Sequence, residues 1–279
     1  MWNFRKLNSY NLEIEKTKEI HAWWFGGLAT AKAGDDLEIN GKKIKSSKSD
    51  VVIRIVNGNG KEKFVGVSIK DCNTKSPTND QVHFTTARAF CKLLRDNGIS
   101  VSENIEVALR KFCGDIGYRP QDILSKKELV ERKSTPERFF LEEIGEEELK
   151  EITDLFSNNQ RKITKIILKY AYAGDLFPPD FILHKTTNVT DDFGATVAIH
   201  SMEELLNLSE KFSHFVLKSY KIRKGSWKND PHTHLAPQLG FIQMQRKGSK
   251  KNATQLQFNL KAGYFNFEPQ PSNSNLIDY

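Results

Sequence analysis

Apolar and polar positions follow two different periods along this chain, and each change of period marks an element. Leu12, Ile20, Trp23 and Trp24 fall on one side of a helix over residues 11–25, with Glu15 and Glu19 four apart on another side and Gly26-Gly27 as the stop. Residues 28–49 are polar, rich in Lys, Gly and Ser, and read as a long loop or ribbon. The β-branched run Val51-Val52-Ile53-Arg54-Ile55-Val56 is a buried strand. Asn57-Gly58-Asn59-Gly60 is a hairpin signal, and Phe64 to Lys70 is the returning strand. After a polar loop over 71–80, Asp80 caps a helix from Gln81 to about Arg95, anchored by Val82, Ala89, Phe90, Leu93 and Leu94.

Helical spacing then dominates. Residues 103–113, Glu146 to Phe156 and Ile163 to Tyr172 are predicted helices, and Pro178-Pro179 ends the run. Phe181-Ile182-Leu183 begins a strand, Ala195 to Ile199 is another, and Ser201-Met202-Glu203-Glu204 is a capping box for a helix to about Glu210. Phe215 to Tyr220 reads as a strand and residues 223–239 as a loop rich in Gly, His and Pro. Phe241 to Gln245 and Leu256 to Leu260 alternate as antiparallel strands do, joined by a basic turn from Lys247 to Asn252. The order is mixed α/β: a central mixed β-sheet flanked by helices, with a helical insertion and a C-terminal β-ribbon. The expected organisation is one domain over 1–279, comprising a core (1–100), the insertion (101–178), a ribbon-bearing part (179–268) and a loose tail (269–279).

Composition narrows the partners. With 42 Lys and Arg against 35 acids, the net charge of +7 favours a polyanion, although many soluble enzymes share such an excess. The acidic runs Glu142-Glu143 and Glu146-Glu147-Glu148 belong away from a phosphate surface. Cys72, Cys91 and Cys113 are too few and too widely spaced for a disulfide framework or zinc knuckle, which fits reduced thiols in a cytoplasmic protein. The start Met-Trp-Asn-Phe-Arg-Lys has no apolar run of a signal peptide, and no stretch approaches the roughly 20 apolar residues of a membrane helix. Without a secretion signal the sequons at Asn188 and Asn252 carry no meaning.

The candidate chemistry lies at Lys48-Ser49-Asp50 and Val67-Ser68-Ile69-Lys70. A hairpin turning at 58–59 pairs residue 50 with about 67–68, so Asp50, Ser68 and Lys70 emerge at one end of the sheet on one face. Phosphodiester hydrolysis needs an activated water, neutralisation of phosphate charge and protonation of the leaving oxygen. A carboxylate-held Mg²⁺ with a neighbouring lysine supplies much of this. The plain alternative is that Asp50 caps a turn and Lys70 is an exposed strand-end lysine.

The second constellation is the ribbon. Gln243, Gln245, Gln257 and Asn259 alternate with Met244, Leu256, Phe258 and Leu260, giving one polar uncharged face and one apolar face. Carboxamides pair with base edges, and a two-stranded ribbon fits a major groove. Arg246 and Lys247 sit at the tip; Lys250 and Lys251 in the turn, and Lys75 after the hairpin, suit phosphates. The alternative is an amphipathic hairpin with a soluble turn. His232-x-His234 lacks a third metal ligand of clear spacing, and Trp23-Trp24 fits a helix core better than a base-stacking platform.

Ser49-Asp50, a gap, then Ser68-Ile69-Lys70 resembles the PD-(D/E)xK nuclease motif, with Ser for Pro and Ser68 for the acid. The MspI-like and HinP-like four-base-cutting restriction endonucleases also replace that acid, with Asn or Gln. Leu109-Arg110-Lys111-Phe112-Cys113-Gly114 and Gln245-Arg246-Lys247-Gly248 followed by Leu256-Gln257-Phe258 resemble stretches of the HinP-like enzyme. Asn259 stands where those enzymes carry Lys, and Gln81 where they carry a base-approaching glutamine. The likeness spans roughly residues 45–260. It implies a restriction-endonuclease-like fold and a Mg²⁺-dependent type II restriction endonuclease, with Mn²⁺ as a substitute. Asp50 would hold the metal, Ser68 would support the metal-bound water and Lys70 would position or activate the attacking water. A further carboxylate from the N-terminal helix is implied, Glu15 or Glu19, with Glu19 preferred. The implied substrate is double-stranded DNA at a short GC-containing palindrome, with a cytosine methyltransferase as genetic partner. Monomer and homodimer stay open. Two other readings stand beside it: a catalytically inactive sequence-specific DNA-binding protein, and a structure-specific repair nuclease of the same fold.

Overall fold

The computed structural model describes residues 17–25, 37–39, 42–44, 47–72, 79–132, 135–171, 174–186, 196–210, 215–220, 234–239, 242–246 and 255–261. Its strands, in chain order, are β1 (Thr17–Trp24), β2 (Leu37–Ile39), β3 (Lys42–Ile44), β4 (Val51–Asn57), β5 (Glu62–Cys72), β6 (Asn79–Thr86), β7 (Phe181–Thr186), β8 (Thr196–Ser201), β9 (Val216–Tyr220), β10 (His234–Leu239), β11 (Ile242–Arg246) and β12 (Gln255–Lys261). Its helices are α1 (Ala87–Asp96), α2 (Glu103–Cys113), α3 (Pro120–Ile123), α4 (Lys126–Arg132), α5 (Glu146–Asn158), α6 (Gln160–Lys169) and α7 (Met202–Glu210). The mixed α/β class expected from the sequence is the one observed. The chain divides into two compact units, Met1–Asp71 with Lys169–Met202, and Cys72–Leu168 with Glu203–Tyr279.

The first unit is built on a five-stranded sheet of order β1-β4-β5-β7-β8. Its centre is the predicted hairpin. Gly60 takes φ 78°, a conformation that L side chains rarely adopt, and closes the turn with its N–H on Asn57 O at 2.9 Å. The register is Val51↔Val67, Val52↔Gly66 and Arg54↔Phe64. Val52 and Phe64 therefore share a face, and with Phe25, Ile44, Phe177 and Trp23 they form one apolar cluster. The opposite face carries Ile53, Ile55, Val65 and Val67, packed with Phe181 and Ile199.

β1 replaces the helix expected over 11–25; residues 11–16 lie outside the described residues. The segment pairs antiparallel with β4, Trp24↔Val51 to Ile20↔Ile55, so its backbone groups gain a ladder and Trp23 joins the core. Pairing with a β-branched neighbour outranks the helical spacing of four apolar residues. The polar stretch 28–49 contains the short β2–β3 hairpin.

The second unit holds an antiparallel sheet of order β6-β12-β11-β10-β9. Its apolar face buries Met244, Leu256 and Phe258. Phe90 of α1 packs on Phe258 with ring centroids 4.9 Å apart, and Phe156 of α5 lies 6.1 Å from Phe90 and 4.8 Å from Phe215. The helix expected from Gln81 starts later, at Ala87, because Val82 to Thr86 is a β-branched and aromatic run that pairs with β12. Thr86, whose Oγ1 accepts from Ala89 N, caps the helix in place of Asp80. The helices predicted over 103–113, from Glu146 and up to Glu210 are present as α2, α5 and α7. β10 occupies the end of what reads as a loop over 223–239.

Candidate active site and the carboxamide face

Asp50 immediately precedes β4 in the first unit. Its N–H donates to Val67 O at 2.9 Å and its carbonyl accepts from Phe25 N at 2.8 Å, so the residue is clamped between β5 and the end of β1. The register puts it opposite Ser68 on one face, as the hairpin arithmetic requires. Its Oδ2 accepts from Ile69 N at 2.6 Å and from Ser68 Oγ at 3.2 Å. Among the described residues no donor reaches Oδ1. Ser68 is buried, and Lys70, two residues further along the same face, is half-buried.

The residues just before Asp50 are buried as well. Ser49 Oγ donates to Phe177 O at 2.6 Å, and the single proton of Ser47 Oγ is shared between Phe177 O at 2.8 Å and Asp175 Oδ1 at 2.9 Å. Asp175 also accepts from Lys48 N at 2.7 Å and from Phe177 N at 3.2 Å. One buried carboxylate thus fixes the approach to the site. Gly66 makes the close packing possible: a Cβ there would run into Ser49 Oγ and lie 2.8 Å from Pro178 O. Asp180 completes the seam, its N–H on Gly66 O at 2.8 Å and its Oδ2 accepting from Gly66 N at 3.1 Å.

Lys48 is a buried residue beside Asp50 that the motif leaves out. It is only 8% exposed. Burial pushes its ammonium down from 10.5 to about 7, helped by repulsion from Lys70 and opposed by attraction to Asp50 and Asp175. Two lysines, one with its charge weakened by burial, and a pinned carboxylate share one end of the hairpin. Lys48 offered no signal beyond adjacency to Asp50, and Asp175 none beyond its place before Phe177-Pro178-Pro179.

Glu19 is a correction. On β1 it pairs with Val56, at the far end of the strand from Trp24 and Asp50. Its Oε1 meets His21 Nε2 at 2.8 Å and Arg54 Nη1 at 3.4 Å, an exposed charge network. It is excluded from the Asp50 site because the segment is a strand, which separates its residues along the sheet by about 3.3 Å each. Glu15 lies outside the described residues. Among the described residues no three His, Cys, Asp or Glu side chains group together. The oxygen donors at hand are Asp50 Oδ1, which no hydrogen-bond donor reaches among the described residues, and the Ser68 hydroxyl. Such an oxygen-only set with a single carboxylate fits a hard cation that keeps most of its own water, as Mg²⁺ does.

In the second unit β12 lies between β6 and β11. Gln245↔Gln257 and Gln243↔Asn259 are register partners, and Asn259↔Gln81 extends that row onto β6. Gln81 is thus on a strand, and it is exposed. Of β11's Gln243, Gln245 and Arg246 the structure gives backbone positions. Lys75, Lys247, Lys250 and Lys251 lie outside the described residues, as does His232. Asn259 departs from the expected exposed row: it is 2% exposed, and its Oδ1 accepts from Gln257 Nε2 at 2.8 Å. A bulge in the β6–β12 pairing between Phe258 and Asn259 accompanies this burial. Gln255, two residues before Gln257, is the third carboxamide that β12 gives to this face, which the alternation already implied.

No family model matches this chain, and no curated protein matches it. Among solved structures, the crystal structure of restriction endonuclease MspI in complex with its cognate DNA is similar at 18% identity and a TM-score of 0.47, covering 92% of this chain and 76% of that one. Among the described residues no helix is long and apolar enough to cross a membrane.

Proposed function

We propose that this chain is a Mg²⁺-dependent type II restriction endonuclease, hydrolysing both strands of duplex DNA at a short GC-containing palindrome. The observation that carries the proposal is Asp50, pinned by Ile69 N–H and Ser68 Oγ, with Oδ1 left open and Lys70 on the same face. Asp50 would hold the ion, which Mn²⁺ would also satisfy. Bound there, the ion supplies charge neutralisation at the phosphate and a more acidic water. Ser68 fixes the carboxylate's rotation. Lys70 orients the attacking water and opposes charge growing on the phosphate. Gln81 and Gln257 offer base-edge hydrogen bonds, and Arg246, Lys247, Lys250, Lys251 and Lys75 offer phosphate contacts. A cytosine methyltransferase would protect the host genome.

The test is incubation of fully sequenced, unmethylated plasmid and phage DNA with the protein in Mg²⁺, with an EDTA control and end-sequencing. Fragments whose ends share one sequence are the expected result, lost in Asp50→Ala and Lys70→Ala. Wild-type rates in both variants would remove these residues from the chemistry. A second reading rests on Ser68, whose hydroxyl is directed to Asp50 where a second carboxylate would otherwise stand. It is a sequence-specific DNA-binding protein without cleavage, and it expects a gel shift in EDTA and intact DNA in every divalent metal.

A further inference from the structure

Asn259 is buried, yet it belongs to a face of carboxamides. Gln255, Gln257 and Asn259 alternate along β12 opposite the face that carries Leu256 and Phe258, both fully buried. Gln257 is only half-buried, so it reaches the surface where Asn259 does not. The contact between them has a direction: Gln257 Nε2 donates and Asn259 Oδ1 accepts, at 2.8 Å. Asn259 Nδ2 is buried without a partner among the described residues, which is an unusual state for an amide donor.

We propose that Asn259 is a positioning residue: it holds the Gln257 carboxamide by Nε2, so that Gln257 presents its Oε1 acceptor outward to a base with an exocyclic amino group, adenine or cytosine. The inference rests on the DNA-reading function proposed above. A free glutamine amide rotates by a half-turn and offers either an acceptor or a donor at the same place. A buried neighbour that accepts from Nε2 removes that freedom. The Oε1 acceptor pairs with adenine N6–H₂ or cytosine N4–H₂, whereas guanine O6 and thymine O4, themselves acceptors, could use only the second Nε2 proton and are disfavoured. The unpartnered Nδ2 of Asn259 defines the alternative: if both amides turned over, Asn259 would donate to Gln257 Oε1 and Gln257 would present donors, selecting guanine or thymine. With the bond running from Gln257 Nε2 to Asn259 Oδ1, the expected base is adenine or cytosine.

The experiment has two arms. In the free protein, the ¹⁵N-resolved side-chain amide of Gln257, assigned by its loss in Gln257→Leu, is expected to show one hydrogen-bonded proton that disappears in Asn259→Leu. With DNA, selection from a random duplex library in Ca²⁺ or EDTA is expected to give wild type a motif with adenine or cytosine at one position. Asn259→Leu and Gln257→Leu should each lose the preference at that position, by about tenfold or more, and keep the others. Asn259→Ser provides a smaller polar variant if Asn259→Leu does not fold, with the same expected loss. An unchanged motif in a folded Asn259 variant would overturn the positioning role alone. A wild-type motif intact in Gln257→Leu, or a guanine or thymine lost there, would overturn the predicted base class. No motif for wild type would overturn the DNA-reading function, and this inference with it.

Discussion

Lys48→Met tests the electrostatics of the site without DNA or metal. The folded protein holds the Lys48 ammonium near 7 against an ordinary 10.5. That depression corresponds to roughly 5 kcal/mol withheld from the charged form in the fold, an upper bound for a group that water can still reach. The folded state binds fewer protons on Lys48 than the unfolded chain does between pH 7 and 10.5, so this contribution to stability rises with pH through that window. Below pH 7 both states carry the charge and the penalty is complete. Between pH 7 and 9 the change from Lys48 alone is about 2 kcal/mol. Methionine fills similar volume without a charge, so the variant is expected to be more stable than wild type at pH 7, with the gap closing towards pH 10. Urea unfolding of both proteins in EDTA at pH 7, 8 and 9 measures it, since titrations common to both cancel in the difference. Parallel stability curves would refute the reasoning, because a solvated Lys48 gives no pH-dependent difference.

Gly66→Ala forces Ser49 and Pro178 away from β5 and is expected to destabilise by about 1–3 kcal/mol in urea titration, with loss of any cleavage because Ser49 precedes Asp50. Asp175→Ala leaves Ser47 Oγ, Lys48 N and Phe177 N without their shared acceptor, and about 3 kcal/mol or more of stability should be lost, whereas Asp175→Asn keeps part of it. Ser68→Asp places a second carboxylate against Asp50: thermal melts should show it less stable than wild type in EDTA and more strongly raised by Mg²⁺. Thr86→Ala removes the α1 cap and should cost about 1 kcal/mol, with no change in metal response.

The hairpin was legible in the sequence because three local signals agreed. A β-branched run, an Asn-Gly turn and a second apolar run fix the register to within one residue, and register alone places Asp50 opposite Ser68. α2 was legible for the same reason, with Ser102 capping its start and Gly114 in the left-handed conformation at its end. Two segments misled. Residues 17–24 offer helical spacing, and residues 81–86 precede a real helix. In both cases an antiparallel partner distant in sequence decided the outcome, and a single sequence does not display which partner that is.

The same division runs through the site. Asp50, Ser68 and Lys70 are joined by a local turn, so spacing is enough to bring them together. The groups that set their environment arrive from far along the chain: Asp175 reaches Ser47 and Lys48 across 128 and 127 positions, and Asp180 reaches Gly66 across 114. These contacts convert an exposed strand start into a buried one, and burial is what depresses Lys48. A motif records which residues meet, and here burial sets the charge of the Lys48 that stands beside them. In the second unit Asn259 meets Gln257 only two positions away, and what alternation left unmarked is its burial. The surroundings of Asp50 therefore depend on a few distant contacts that ordinary periodicity leaves unmarked.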